Sequence, residues 1–387
     1  MAVTLADVAA RAGVSAATVS RVLNSNYPVA KATRDRVLRA VAELEYVANG
    51  PASALAAATS DLVGILVNDV ADPFFGILAS AVQSEMSGDG TSGGEKLAVV
   101  CNTGGSPERE LTYLTLLHRQ RAGAVVLTGG ATEDPAHTAA LAARVARLSA
   151  AGTQVVLCGR PPLAVGVVGS GDGAPVAGSA GGLGSVEGRA ASTPAASSAS
   201  GADAGPAPLT VAFDNRGGAR SLTEHLVALG HRRIGCVAGP EGLTTTRHRL
   251  EGHRAALAAH GIEDMPGRTV HGAYDRASGY AAAHELLRRD EGLTAVVAAN
   301  DTVALGVCAA LREHGRRVPE DVSVVGFDDL PFSMDAVPAL TTVRLPLAEA
   351  GARAGRLAMG REPAPADGVV LLSSELVIRK STAPPYS

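Results

Sequence analysis

The stretch Val3-Thr-Leu-Ala-Asp-Val-Ala-Ala-Arg-Ala-Gly-Val-Ser-Ala-Ala-Thr-Val-Ser-Arg-Val-Leu-Asn24 decides the architecture. Its apolar residues recur at helical spacing in two short runs, Leu5, Val8 and Ala9, then Val14, Val19, Val22 and Leu23. Thr4 with Asp7 makes the T-x-x-D form of a capping box, in which a hydroxyl and a carboxylate satisfy the first amides of a helix. Ala12-Gly13-Val14 breaks that helix after two turns, and Ser15 opens the next immediately. A third run, Val37, Val41 and Leu44, completes three small amphipathic helices over residues 1–47. Two short helices joined by a tight turn containing Gly form the layout of a helix-turn-helix, which offers its second helix to the major groove of DNA.

Residues 48–60 read as a linker with helical leanings: Pro51 suits a first helical position, Asn49 or Gly50 a cap, and an Ala-rich run follows. A helix this short is marginal alone in water. From Leu62 onward, β-branched runs alternate with helical stretches. The expected strands are Leu62–Val67, Leu97–Val100, Ala124–Leu127, Gln154–Leu157, Thr210–Phe213, Ile234–Val237, Ala295–Ala298 and Val322–Val325. Amphipathic runs such as Pro107–Gln120, Gly217–Leu229 and Thr302–His314 lie between them. This alternation predicts an α/β fold with open parallel sheets flanked by helices, and the number of units predicts two lobes rather than one sheet. Two segments break the rhythm, the Gly-rich Ser87–Glu95 and the Gly/Ala/Ser/Pro tract Leu163–Pro208, which has only four charged residues. The second cannot bury enough apolar side-chain area to fold and reads as a disordered surface insert joining two strands.

With 387 residues, 46% of them hydrophobic, the chain can fill ordinary cores and should hold two or three domains. Its 34 Lys and Arg against 38 Asp and Glu exclude a polycation, so contact with nucleic acid requires a local basic surface. Cys101, Cys158, Cys236 and Cys308 stand far apart with no CxxC pair, which points to free thiols in a reduced compartment and not to a metal site. The N-terminus lacks the basic start and apolar run of a signal peptide, and no apolar stretch is long enough to span a bilayer. A cytoplasmic protein without membrane contact is expected. Gly88–Gly93 matches GxGxxG and Gly90–Gly94 matches GxSxG, but both follow a helix and precede a strand, the wrong order for a phosphate cradle or a nucleophile elbow. No HExxH pair is present. Neither a cofactor nor an enzymatic centre is expected.

Residues 3–24 strongly resemble the DNA-binding headpiece of the lactose-repressor (LacI/GalR) family of bacterial transcription regulators. The resemblance continues through Thr33–Val37, Glu43–Tyr46, Leu62–Val67, Asp72–Phe75, Phe213–Asn215, Gly230–Ile234, Arg249–Gly252, Ala299–Asp301 and Gly326–Asp329. It implies a headpiece (1–47), a hinge helix (48–60) and a two-lobed core (61–387) similar to periplasmic sugar-binding proteins. The chain is expected to cross between lobes near Phe213, Thr341 and Val369. Lobe 1 then comprises about 61–212 and 341–369, and lobe 2 about 213–340 and 370–382. The implied partners are double-stranded DNA with a palindromic operator, a second copy of the chain in a homodimer, and a small-molecule effector, a sugar or related metabolite.

In the headpiece the resemblance places Arg21 on a base edge, or else on a phosphate. Ser15, Thr18, Ser20 and Asn24 carry short polar groups suited to phosphate or to capping, which position rather than specify, and Thr4 and Thr33 are further DNA-contact candidates. Ala16 and Ala17 stand where relatives vary their base contacts, so direct readout is sparse. Leu55 falls at the position of a minor-groove wedge, with Ala52 beside it, or at a hinge–hinge contact in the dimer. Gly50, Pro51, Ser53 and Ala54 depart from the family pattern and predict an easily melted hinge. Ala30 stands where a Ser often caps the third helix, a loss of about 1 kcal/mol.

In the core the resemblance assigns Phe75 and Tyr274 as aromatic effector contacts and Arg249, Asn300 and Asp328 as polar ones, with Asp72 and Asp214 as weaker candidates. Plain alternatives stand beside these: Asp328 and Asn300 as helix caps, and Arg249 in a surface ion pair with Glu251 or a neighbour. At Cys158-Gly159-Arg160-Pro161 a carboxylate that relatives often carry is missing, so an unusual hydroxyl pattern in the effector is expected. A regulator whose operator affinity is set by the effector follows, most simply a repressor. The competing reading is a sugar-binding receptor that does not act on DNA.

Overall fold

The protein is described by a computed structural model covering residues 3–23, 29–44, 46, 60–86, 96–164 and 205–386. Asn24, Ala52 and Leu55, the hinge over 48–59, the insert over 87–95 and most of the 163–208 tract lie outside the described residues. The chain divides into two compact units, Met1–Ser60 and Asp61–Ser387.

The first unit contains α1 (Leu5–Ala12), α2 (Ala16–Leu23) and α3 (Lys31–Glu43). The capping box forms: the Thr4 amide donates to Asp7 Oδ2 (2.8 Å) and the Asp7 amide to Thr4 Oγ1 (3.4 Å). The Thr4 hydroxyl also donates to Asp7, holding its carboxyl below the ordinary value. Gly13 ends α1 with φ +63°, a left-handed conformation that glycine adopts without a Cβ penalty, and so makes the abrupt turn into α2. Val8, Val19 and Val37, one from each helix, are fully buried together. Before α3, Ala30 offers no side-chain cap.

The second unit takes in all but the first residue of β1 (Ser60–Val67), then α4 (Pro73–Ser84), β2 (Leu97–Asn102), α5 (Pro107–Arg119), β3 (Ala122–Thr128), α6 (Pro135–Ala150), β4 (Gln154–Cys158) and β5 (Leu209–Phe213). It continues with α7 (Asn215–Ala228), β6 (Ile234–Ala238), α8 (Thr244–Ala259), β7 (Thr269–His271), α9 (Arg276–Arg289), β8 (Ala295–Ala298), α10 (Asp301–Glu313) and β9 (Ser323–Val325). It closes with α11 (Phe332–Asp335), β10 (Thr342–Arg344), α12 (Leu347–Ala358), β11 (Val369–Leu372) and β12 (Glu375–Val377).

Two parallel sheets result, one in the order β11-β5-β4-β3-β1-β2 and one in the order β7-β6-β8-β9. Strand alternation sorts the core. Val63, Ile65 and Val67 join Leu78 and Val82 of α4 and Ala350 and Ala354 of α12, while Leu66, Val125 and Leu127 join Leu114 of α5 and Leu148 of α6. In the second sheet Val296 and Val324 pack with Leu286 of α9 and Val307 of α10, while Val297 and Val325 pack with Leu222 of α7 and Leu257 of α8. Both faces of each sheet are thus covered, which is why the strands read as continuous apolar runs.

The chain leaves the first sheet after Phe213 and returns through β10, which pairs antiparallel with β12 in a short ribbon. The third crossing, expected near Val369, falls after Leu372 instead. Val369–Leu372 pairs in register with Thr210–Phe213 as the edge strand of the first sheet, so residues 370–372 belong to lobe 1. Among the described residues no helix is long and apolar enough to cross a membrane, and no group of three His, Cys, Asp or Glu could hold a metal ion. The four cysteines are free, and three of them are buried.

Candidate functional site

On α2, Val19 and Val22 face inward, while Ser15, Ala16, Ala17 and Arg21 are exposed and Thr18 and Ser20 half-buried. Ala17 and Arg21, one helical turn apart, share the outer face. Ser15 is occupied with capping: its hydroxyl accepts from the Thr18 amide (3.2 Å) and lies 2.9 Å from Thr18 Oγ1. Thr4 is likewise committed to its own helix, and Thr33 sits half-buried in the first turn of α3. Residues 1–46 carry six Lys and Arg against four Asp and Glu, with Lys31, Arg34, Arg36 and Arg39 all exposed on α3. The headpiece thus carries a small local excess of positive charge in a chain whose formal net charge is −4.

Between the lobes of the core lies a cleft of about 780 Å³. Its floor in lobe 2 is organised by Arg249 on α8. The guanidinium donates from Nε to Asn215 Oδ1 (2.9 Å), from Nη1 to the Ala299 carbonyl (2.5 Å) and from Nη2 to Asp328 Oδ1 (2.7 Å). It also stacks 3.8 Å from the centroid of Phe327. Only 11% of the Arg249 side chain and 4% of that of Asp328 are exposed. Burial pushes the Asp328 carboxyl above its ordinary value, and the adjacent guanidinium offsets this only in part. Asp328 has φ +99° and Asp329 φ +54°, a left-handed backbone that is uncommon for residues other than glycine.

Of the expected effector residues, Phe75, Tyr274, Arg249, Asn300, Asp328 and Asp72 line this cleft, and Asp214 does not. Phe75 lies edge-on to Phe74, with centroids 5.0 Å apart, on the lobe 1 wall. Tyr274 enters from lobe 2, its hydroxyl 2.9 Å from Thr246 Oγ1, and burial raises its phenol pKa. Asp72 and Asn300 are helix caps as well as lining: Asp72 Oδ1 accepts from the Phe74 amide (2.9 Å) and Asn300 Oδ1 from the Val303 amide (2.8 Å). Asp214 caps α7 through the Gly217 amide (2.8 Å). The other plain alternatives do not hold. Arg249 pairs with Asp328 while Glu251 pairs with Arg216 and Arg247, and α11 is preceded by Pro331 and not capped by Asp328. Sequence reading missed Asn215, which orients Arg249, although the run Phe213–Asn215 had marked the neighbourhood. It also missed Glu110, Arg160 and His137, which form a buried group at the lobe 1 end of the cleft.

Two further features tie the cleft to the lobe geometry. Asp329, next to Asp328, accepts from Arg344 of β10 (2.8 Å) and from Arg379 beyond β12 (2.6 Å), so it grips two crossing segments. Across the cleft mouth the β3–α6 loop meets the segment leading into α8. The Thr244 amide donates to the Ala131 carbonyl (2.9 Å), the Glu133 amide donates to the Gly242 carbonyl (2.7 Å), and Glu133 pairs with Arg247.

Two lobes joined by three crossings around a polar and aromatic cleft, in one chain with a helix-turn-helix unit, define a ligand-binding core coupled to a DNA-binding module. Residues 223–382 match the periplasmic binding protein-like domain, and residues 4–49 match the bacterial regulatory proteins of the lacI family. The chain is 35% identical to the HTH-type transcriptional regulator GalS of Salmonella typhimurium, over 92% of this chain and 89% of that protein. It is similar to the lac repressor dimer bound to operator and the anti-inducer ONPF, with TM-score 0.73 and 28% identity over 99% and 100% of the two chains. It also resembles the CelR–cellobiose complex, with TM-score 0.61 and 31% identity over 98% and 99%. The chain belongs to the lacI family of bacterial regulatory proteins. It is a DNA-binding transcriptional regulator, and its relatives are regulators rather than enzymes.

Proposed function

We propose that the protein is a cytoplasmic repressor that binds a palindromic operator as a homodimer and is controlled by a sugar held between the core lobes. The observation that carries the effector assignment is the fork of Arg249, held by Asn215, Ala299 and Asp328 on one wall and faced by the Phe74–Phe75 pair on the other. Rigid polar groups suit hydroxyls and aromatic faces suit the apolar side of a sugar ring. The CelR–cellobiose complex and the operator-bound lac repressor dimer support the same reading by similarity. A two-fold protein presents two identical recognition helices, hence the palindrome.

The coupling follows from position. An effector contacting Asp328 acts on the residue beside Asp329, which holds β10 and the segment after β12, so ligand contact and lobe crossing share one loop. Whatever its sign, the effect of sugar on operator affinity equals the effect of operator on sugar affinity. The test is operator binding by fluorescence anisotropy with and without each member of a sugar panel. A change in operator affinity with one sugar, and none with the others, supports the reading. Sugar binding that leaves operator affinity unchanged overturns the regulatory link.

A further inference from the structure

The strands of the lobe 1 sheet run parallel, so they start at one end of the lobe and finish at the other. Their finishes feed the cleft: Asn68 and Asp72 follow β1, Gly129 follows β3 and Gly159 follows β4. Their starts gather at the far end. There the Thr153 hydroxyl before β4 donates to the Ala122 carbonyl at the head of β3 (2.8 Å), and Lys96 before β2 pairs with Asp61 near the head of β1 (3.6 Å). The 7 residues of β3 hold the two ends about 23 Å apart, more than two Debye lengths of about 8 Å at physiological salt. Charge at one end is therefore screened from the other.

The two ends differ in sign. Loops at the cleft end carry Asp69, Asp72, Glu133 and Asp134. The far end carries Arg119 in the last turn of α5, Arg121 ahead of β3, and Arg144 and Arg147 in the last two turns of α6. Arg119, Arg121 and Arg147 are exposed and Arg144 is half-buried. α5 and α6 pack together, Leu114 and Leu117 sharing a core cluster with Val145 and Leu148, which gathers the arginines into one patch. Exposed arginines elsewhere on the core are matched, Arg216 by Glu251, Arg220 by Glu224 and Arg254 by Asp264. Arg119, Arg144 and Arg147 form no ion pair among the described residues. A cation in the last turn steadies a helix C-terminus, which accounts for Arg119 and Arg147 but not for Arg121 or Arg144.

This is also the end at which the chain enters the core, at Ser60. The match to the lacI family ends at residue 49, so residues 50–59 span at most about 36 Å, and a duplex held by the headpiece is tethered to the arginine-bearing end. We propose that this patch on lobe 1 is a second DNA contact, which grips backbone phosphates without reading sequence. The proposal rests on DNA binding by the headpiece.

The test is fluorescence anisotropy of the full chain on a duplex selected from a random pool and on an unselected duplex, from about 50 to 200 mM salt. The triple variant Arg119→Gln, Arg144→Gln, Arg147→Gln weakens binding to the two duplexes by the same factor, because phosphates carry no sequence information. With two arginines engaged on each chain of a dimer, four phosphate contacts are lost and the slope of log affinity against log salt becomes shallower by about 3.6. The advantage of wild type then shrinks about 150-fold over that fourfold rise in salt. Lys at the same three positions keeps the charge and restores the wild-type slope, which separates lost phosphate contact from damaged folding. Equal affinities and slopes for wild type and the Gln variant overturn the contact, leave operator binding by the headpiece intact and turn the search to an acidic protein surface. A loss confined to the selected duplex also overturns it, since recognition and not phosphate contact has then failed. Wild type that shows no preference for the selected duplex overturns the operator reading instead, and the slope on the unselected duplex still decides the patch.

Discussion

Replacing Arg249 by Lys keeps the charge and removes the fork. Three guanidinium nitrogens now serve three acceptors, Asn215 Oδ1, the Ala299 carbonyl and Asp328 Oδ1, at 2.9, 2.5 and 2.7 Å, with the plane stacked on Phe327. A lysine ammonium is a point charge and holds Asp328 at best, leaving two acceptors without their donor. Hydrogen bonds to charged groups contribute about 1.5–3 kcal/mol each. Water enters the open cleft and offsets part of the loss, so about one such bond goes unreplaced when the effector binds. The expected weakening is about 1.5–3 kcal/mol, or roughly 10-fold to 150-fold in Kd. The assay is titration of wild type and variant with the sugar that most raises the melting temperature of wild type, followed by operator anisotropy. Effector affinity falls in that range while effector-free operator affinity stays within about twofold. An Arg249→Lys protein that binds the sugar within threefold of wild type would refute the role given to the fork.

Other consequences concern single elements. Ala30→Ser supplies the missing cap of α3 and should stabilise that helix by about 1 kcal/mol, read as about fivefold slower hydrogen exchange of α3 amides in the full chain; unchanged exchange contradicts it. Asp301 is fully buried, accepting from the Leu330 amide (2.7 Å) and the Thr342 hydroxyl (2.6 Å), and burial pushes its carboxyl to about 8. A folded pKa raised above the unfolded value of about 3.9 means that this residue's contribution to stability is present below pH 4 and is lost as pH rises to about 8. Asp301→Asn should therefore flatten the melting temperature over that window, and an unchanged slope would sink the assignment. Leu55→Ala, at the implied wedge, is expected to lower affinity for the selected operator and leave binding to random duplex nearly intact; equal losses on both refute the wedge.

Most of the fold was legible because its strands are buried on both faces. Runs such as Val63–Val67 and Ala295–Ala298 are apolar throughout, and a helix-length amphipathic segment follows most of them. The three-residue strands β7, β10 and β12 carry too few residues for any period to show, and pairing alone creates the ribbon that joins the lobes. The third crossing falls beyond Leu372 because Val369–Leu372 pairs with Thr210–Phe213, residues far away in sequence, so the pairing and not the local run decides to which lobe the strand belongs. At the site, Arg249 and Asp328 were legible through resemblance, but their mutual ion pair is a product of folding, as they lie 79 positions apart. Glu110 reads in sequence as an ordinary helix-surface carboxylate. Only the packing of α5 against β3 and α6 brings it to His137 and to Arg160, which follows β4, and buries all three.

The most direct test of the regulator assignment is selection of bound sequences from a random duplex pool by the purified full chain near physiological salt, read by sequencing. The account predicts enrichment of a two-fold symmetric site of about 14 to 20 base pairs, with half-sites set by the spacing of two recognition helices. Retention of DNA without sequence enrichment, with and without the sugars that bind the core, would contradict it.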